Sequence, residues 1–452
     1  MGTSYFGDLI ETIVMRGQGL LARARELGGR GAARAELVEL AEALLSRRGE
    51  ASGVALAGEI LAALEAAEPA ARAAFLRSLA SQFGADGDRL RGAVEAWSTE
   101  PGPRAEIALH LAAEPRRQEL FRRLNLAPGG TAALVALRGE LLDMLDDDAA
   151  LEAVDADFAH LFASWFNRGF LVLRRIDWST PANILEKIIA YEAVHEIRDW
   201  NDLRNRLEPP DRRCFAFFHP QLIDEPLIFV EIALTPAIPD AIEPLLDLGR
   251  APVPAREVTT ATFYSISNCQ KGLRGISFGN FLIKQVVEEL KREMPQLATF
   301  ATLSPVPGFA AWLARAAAAA PPVLTPDDAA AVTALDAEEP APAPDAARSA
   351  LLRRLAARYF LTARTASGRP LDPVARFHLG NGASLHRINV DADLSAKGRR
   401  QSHAVMVNYL YDLESIEANH EAYAETGEVV ADAAIRKLLD APAGRRRRKP
   451  AA

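Results

Sequence analysis

Three glycines, Gly272, Gly275 and Gly279, recur at short spacing in the run NCQKGLRGISFGN, between a β-rich stretch, TATFYSIS, and an amphipathic segment, FLIKQVVEELKREM. Strand, glycine-rich loop and helix in that order are the parts of a phosphate cradle. Glycine reaches backbone angles that other residues avoid, so successive N–H groups can turn toward one anion at the positive end of the following helix. Lys271, Arg274 and Lys284 flank the loop and supply local positive potential. No Gly-Lys-Ser/Thr follows, so this is not a Walker loop, and it lacks the GxGxxG of dinucleotide folds with an acidic residue about 20 positions on. A nucleotide-like anion suits the pattern.

Two further residues carry reactive groups in constrained settings. Ser304 lies in LSPVPGF, where Pro305 biases it toward extended angles and Pro307 stiffens the next turn, so its hydroxyl is held in one direction. His378 lies in FHLGNGA, and an unperturbed imidazole, titrating near ~6.5, can give and regain a proton around neutrality. No GxSxG elbow surrounds the serine, which counts against an α/β-hydrolase nucleophile. The two cysteines, Cys214 and Cys269, form neither a CxxC pair nor a disulfide framework, so a reducing compartment is expected and zinc or iron–sulfur binding is not.

The glycine loop is similar to the pyrophosphate loop of GNAT-type acyltransferases, which bind coenzyme A. Taken with LSPVPGF, YEAVHEIRDWNDLRNRL, EPLIFVEIALT and FHLGNGASLHRINVDADLSAKGRRQSHAVMVNYLYDLESIEANHEAY, it resembles malonyl-CoA decarboxylase over roughly Phe162 to Val430. The resemblance implies an α + α/β protein, an N-terminal helical bundle followed by a GNAT acyltransferase-like mixed-sheet catalytic domain. It implies Ser304 and His378 as catalytic residues, Tyr411 and Asn408 of the NYLY segment as substrate-orienting ones, and Arg274, Gly275, Ile276, Ser277, Phe278, Gly279 and Asn280 as the coenzyme A contacts. Ser277 stands where family members often carry an acidic residue and Asn280 where a small hydroxyl residue is common, so the side-chain contacts of the loop depart from the pattern while its glycines do not.

The chemistry so implied is malonyl-CoA plus a proton giving acetyl-CoA and carbon dioxide. Loss of carbon dioxide leaves an electron pair that flows into the thioester carbonyl as an enolate, so the protein must stabilise an oxyanion and then protonate carbon. The thioester is itself the electron sink, and no cofactor or metal is expected. Three other outcomes share these motifs: a CoA-dependent acyltransferase, an acyl-CoA hydrolase, and a noncatalytic assembly protein that binds acyl-CoA.

The elements that must hold these groups are legible in outline. Up to residue 167, segments such as LVELAEALLSR, EILAALEAAE, ARAAFLRSLASQF and AALVALRGELLDMLD place leucine and alanine at three- and four-residue intervals, which predicts a helical bundle, an oligomerisation domain by the resemblance. Residues 168–452 would form the catalytic domain, in which CFAFFHP, EPLIFVEIALT and TATFYSIS read as strands. Residues 314–350, rich in alanine, proline and acidic residues, read as a flexible or loosely helical insert, and 440–452 as a basic solvated tail. A 452-residue chain, half apolar, can bury a substantial core. Its net charge of −8 argues against nonspecific nucleic-acid binding. No secretory signal or membrane-length apolar run is evident, so a cytoplasmic protein without membrane or nucleic-acid partners is expected; the resemblance implies a homo-oligomer, dimer or tetramer, acting on malonyl-CoA.

Overall fold

The computed structural model describes residues 33–46, 49–276, 282–319, 323–337 and 346–440. The chain divides into two compact units, one of residues 1–172 with 218–227 and 269–278, the other of 173–217, 228–268 and 279–452.

The first unit is helical: α1 (Ala33–Ser46), α2 (Glu50–Ala66), α3 (Pro69–Gln82), α4 (Gly87–Thr99), α5 (Pro103–Ala113), α6 (Arg116–Asn125), α7 (Gly130–Leu142) and α8 (Glu152–Trp165). Chemistry at the helix ends matches the boundaries. Pro69 and Pro103 sit in first turns, where a missing N–H costs no bond, and the Asp86 carboxylate caps α4 by accepting the N–H groups of Asp88 and Arg89. Apolar stripes from α3, α6, α7 and α8 meet in a core of Phe75, Leu79, Phe121, Leu134, Phe158 and Phe162, with the Phe121 and Phe158 rings stacked at 4.1 Å. The helical N-terminal region and the mixed sheet that follows it are the architecture expected from the sequence.

The second unit is built on one eight-stranded sheet. Its strands are β1 (Val172–Ile176), β2 (Arg212–Phe218), β3 (Pro226–Thr235), β4 (Thr260–Asn268), β5 (Thr299–Thr302), β6 (Ser304–Pro305), β7 (Ser384–Asn389) and β8 (Met406–Leu410), in the order β1-β2-β3-β4-β5-β8-β6 with β7 also on β8. β3 is buried along its whole length, as its continuous apolar run requires of a strand covered on both faces. The exception, Glu231, is fully buried and receives the Arg206 guanidinium at 2.9 Å, so the YEAVHEIRDWNDLRNRL and EPLIFVEIALT segments are joined by an ion pair. Arg206 lies in α10 (Trp200–Leu207), which follows α9 (Ala182–Tyr191).

β3 and β4 run antiparallel, with a bulge after Glu231; β4 and β5 run parallel, but only from Thr260↔Thr299 to Phe263↔Thr302. Beyond that point β8 takes over, pairing with β5 at Ala301↔Leu410 and with β6 at Ser304↔Val407. The chain between β3 and β4 includes one helical turn, α11 (Glu243–Leu246), and the chain between β4 and β5 includes α12 (Leu282–Glu293), whose buried Leu282, Ile283, Val286, Val287 and Leu290 form the expected apolar stripe.

The alanine- and proline-rich stretch from 314 to 350 begins inside α13 (Phe309–Ala318) and contains α14 (Pro326–Ala337). Its described part is therefore mostly helix. Leu324 and Val332 are buried, and Asp328 accepts Arg354 of α15 (Ala346–Thr362) through both oxygens, at 2.8 and 2.5 Å, so the acidic composition supplies one anchor rather than only solvated surface. Most of AEEPAPAPDAA, and the basic tail from residue 441, lie outside the described residues.

Candidate active site

Ser304 opens β6, two residues after Thr302 ends β5, and both hydroxyls lie inside the protein. His378 occupies the last turn of α16 (Pro373–Gly380). That helix starts where it must: the Asp372 carboxylate caps it by accepting the Ala375 N–H at 2.8 Å, and Pro373 fills the first position. Gly382, at φ +82°, then turns the chain toward β7; a Cβ there would stand 2.1 Å from the Ile416 carbonyl oxygen, so the second glycine of FHLGNGA is a steric requirement.

These elements bring four polar groups into a line. Ser304 Oγ donates to Thr302 Oγ1 at 2.8 Å and lies 3.1 Å from His378 Nε2, while His378 Nδ1 lies 2.8 Å from the Tyr411 hydroxyl. The Tyr409 ring stacks on the imidazole at 4.6 Å and Phe377 meets it edge-on. Ser304, His378 and Tyr411 are each 5 % exposed or less.

Burial alone holds the His378 pKa down, to about 3, because the imidazolium would lose its hydration and no charged group acts on it. The expectation of an imidazole poised near neutrality is thereby corrected: His378 is neutral at physiological pH. Burial likewise pushes the Tyr411 phenol well above its usual value. The site is an uncharged, buried, hydrogen-bonded chain of side chains.

Asn408 stands one strand away with every capacity engaged by protein. Its amide donates to the carbonyls of Thr302 at 2.7 Å and Pro239 at 3.1 Å, and its oxygen accepts Arg387 at 3.0 Å and Asn389 at 2.8 Å. It reaches the line of groups through the Thr302 backbone. Arg387 Nη2 donates to the Ile238 and Pro239 carbonyls, both at 2.9 Å.

Of the glycine loop, Arg274, Gly275 and Ile276 are described, within the helical unit; Ser277, Phe278, Gly279 and Asn280 lie outside the described residues. Gly275 takes the positive φ, +81°, that the loop needs. Gly272 serves another purpose: its α-carbon is so close to α7 that a Cβ would lie 1.8 Å from the Val135 carbonyl oxygen. Arg138 of α7, itself buried and paired with Asp155 at 2.8 Å, donates to the carbonyls of Gly272 at 2.7 Å and Arg274 at 3.0 Å, tying the loop to the helix. Lys271 and Lys284, expected to add positive potential, pair with Asp143 and Glu417 respectively. Arg274 is exposed.

Thr302, Arg138 and the Tyr359 hydroxyl, which donates to Asp372 at 3.2 Å, carry no mark in the sequence reading. Asp372-Pro373 is a legible helix start, but a threonine in a strand and an arginine in a helix carry no local mark of their partners.

Comparison with known proteins agrees over most of the chain. The family described as Malonyl-CoA decarboxylase C-terminal domain matches residues 169–449, and the Malonyl-CoA decarboxylase N-terminal domain matches residues 83–166. The mitochondrial malonyl-CoA decarboxylase of Anser anser anser is 34 % identical over 396 residues, covering 80 % of this chain and 78 % of the relative. The crystal structure of malonyl-CoA decarboxylase from Rhodopseudomonas palustris is similar at 59 % identity and a TM-score of 0.86, covering 90 % of this chain and 100 % of that one; that from Cupriavidus metallidurans is similar at 38 % and 0.71, with the same coverage. With matched domains spanning both the helical region and the sheet that carries Ser304 and His378, the chain belongs to the malonyl-CoA decarboxylase family.

Proposed function

We propose that this protein converts malonyl-CoA to acetyl-CoA and carbon dioxide, with Ser304 and His378 as the reacting pair and Tyr411 behind them. The observation that carries the reading is the buried, uncharged chain from Ser304 through His378 to Tyr411 in a member of this family. A buried set of neutral side chains suits decarboxylation. The carboxylate loses hydration and gains no counter-charge on entering, which favours its loss as carbon dioxide. One displaced oxyanion donor typically costs ~10²–10³ in turnover. The pair also supplies the proton for carbon.

Arg274 to Asn280 are read as the coenzyme A contacts, supported by the positive φ of Gly275 and by the Arg138 clamp that fixes the preceding backbone. Asn408 is read as orienting substrate indirectly, by holding the Thr302 carbonyl. The helical unit is read as the part that joins copies into a homo-oligomer: Val94, Trp97, Ile107 and Leu111 are exposed on α4 and α5. A cytoplasmic site of action in fatty-acid metabolism completes the reading; cell fractionation tests it. Among the described residues no helix is long and apolar enough to cross a membrane.

The test is incubation of purified protein with malonyl-CoA and chromatography of the products. Acetyl-CoA without free coenzyme A is expected; free coenzyme A marks a hydrolase, and acceptor-dependent release marks an acyltransferase.

A further inference from the structure

Thr302 Oγ1 receives two donors. The Tyr409 backbone N–H reaches it at 3.1 Å and the Ser304 hydroxyl at 2.8 Å. Both its lone pairs are thereby occupied, and Thr302 is completely buried. Ser304 has a single proton. With that proton on Thr302, the 3.1 Å contact between Ser304 Oγ and His378 Nε2 requires the imidazole to be the donor. A neutral imidazole carries one N–H, so Nδ1 is left as an acceptor, and the 2.8 Å contact to Tyr411 is then donated by the phenol.

We propose that Thr302 is a positioning residue that sets the direction of the whole chain: by accepting the Ser304 proton it fixes His378 as the Nε2–H tautomer and aligns Tyr411, His378 and Ser304 as successive donors. The strand arrangement enforces this. The Tyr409 amide belongs to β8, the strand that pairs with both β5 and β6, so the backbone itself presents an N–H to Thr302 and leaves it one lone pair for Ser304.

This rests on the decarboxylase reading for its consequence. As the bond to the carboxyl carbon breaks and carbon dioxide leaves, its electron pair enters the thioester carbonyl. The Ser304 O–H turns from Thr302 to the enolate carbon and gives up its proton, Nε2–H passes to the Ser304 oxygen and the Tyr411 proton passes to Nδ1; once the product has left, a solvent proton enters at Ser304 and the transfers run back, from Ser304 to Nε2 and from Nδ1 to Tyr411, which restores the Nε2–H tautomer. Each group loses one proton and gains one, and the enolate, a far stronger base than a phenolate, drives the transfer. In the reverse direction His378 would have no proton facing Ser304, and the serine could not be recharged from the imidazole.

The experiment is nitrogen NMR of the full-length protein labelled with ¹⁵N-histidine, with the His378 ring assigned by its loss in His378→Asn, alongside steady-state kinetics. Wild type should show a protonated Nε2 and an unprotonated Nδ1. In Thr302→Val the Ser304 proton has only Nε2 left to bond, so the tautomer should flip to Nδ1–H while kcat for malonyl-CoA falls about 10²-fold, the usual worth of a proton donor, with KM little changed. Thr302→Ser should restore both. An Nδ1–H tautomer in wild type overturns the proposal with no variant needed, as does a Thr302→Val protein that keeps the tautomer or keeps its kcat. If malonyl-CoA is not turned over at all yet the tautomer flips as stated, the positioning role stands and the decarboxylase reading fails.

Discussion

The Tyr359 hydroxyl donates to Asp372 Oδ2 at 3.2 Å inside the core, while Oδ1 of the same carboxyl caps the helix that carries His378. The placement of the imidazole thus depends on a buried acid six positions before it, which the Tyr359 hydroxyl partners. Asp372→Ala removes the cap, which is worth about 1 kcal/mol, and leaves Tyr359 without its acceptor. Chemical denaturation should show a loss of at least that size, with kcat falling more than KM rises because His378 is displaced.

Two buried groups pull the acid limb of stability in opposite directions. Native His378 refuses a proton until about pH 3, whereas the unfolded chain takes one near ~6.5, so its contribution is lost as pH falls through that interval. Burial raises Asp372 to about 6, so the native state holds a proton that the unfolded chain releases near ~3.9; this favours the fold in acid and fades as pH rises to about 6. Asp372→Asn keeps a capping oxygen without the titration. Its stability relative to wild type should climb between pH 4 and 6 (the interval set by those two values) and level off above. Urea melts across that range check it, and a constant difference would refute the assignment.

Gly272→Ala places a methyl group against the Val135 carbonyl. Because both sides of that contact are backbone, the expected cost is about 1–3 kcal/mol or more, read as a lower melting temperature. Arg138→Met, which strips two loop carbonyls of their donor, should weaken coenzyme A binding by calorimetry while the Ser304–His378 chemistry survives at saturating substrate.

Sequence made the elements plainer than the contacts. The period of the leucines announced the helices, and strand, glycine loop and amphipathic helix followed in the order read. Ser304 and His378 stand 74 residues apart, and no spacing rule joins them; only the motif resemblance put both forward, and the sheet brings them to 3.1 Å. Gly272 shows the converse limit. A glycine in such a loop reads as phosphate-cradling, yet the close approach of α7 is what demands it here, and nothing local records the packing of a helix more than a hundred residues upstream. His378 was given the ordinary imidazole range because burial is a property of the fold rather than of FHLGNGA.

Trp97→Glu combined with Ile107→Glu puts charge on the exposed apolar face of α4 and α5. Sedimentation should show wild type as an oligomer and the double variant as a smaller species, with the helical content unchanged by circular dichroism.

Tyr411→Phe removes the last donor of the chain and keeps the ring. Turnover should fall by at least ~10-fold with KM nearly constant, since general acid–base groups contribute ~10²–10⁴ and the phenol acts through His378.

The central claim is that Ser304 and His378 decarboxylate malonyl-CoA. Wild type, Ser304→Ala and His378→Ala should be incubated with malonyl-CoA while acetyl-CoA and free coenzyme A are followed together. The account predicts stoichiometric acetyl-CoA from wild type, no free thiol, and a loss of at least ~10²-fold in each variant. Release of free coenzyme A, or variants that keep wild-type turnover, would contradict it.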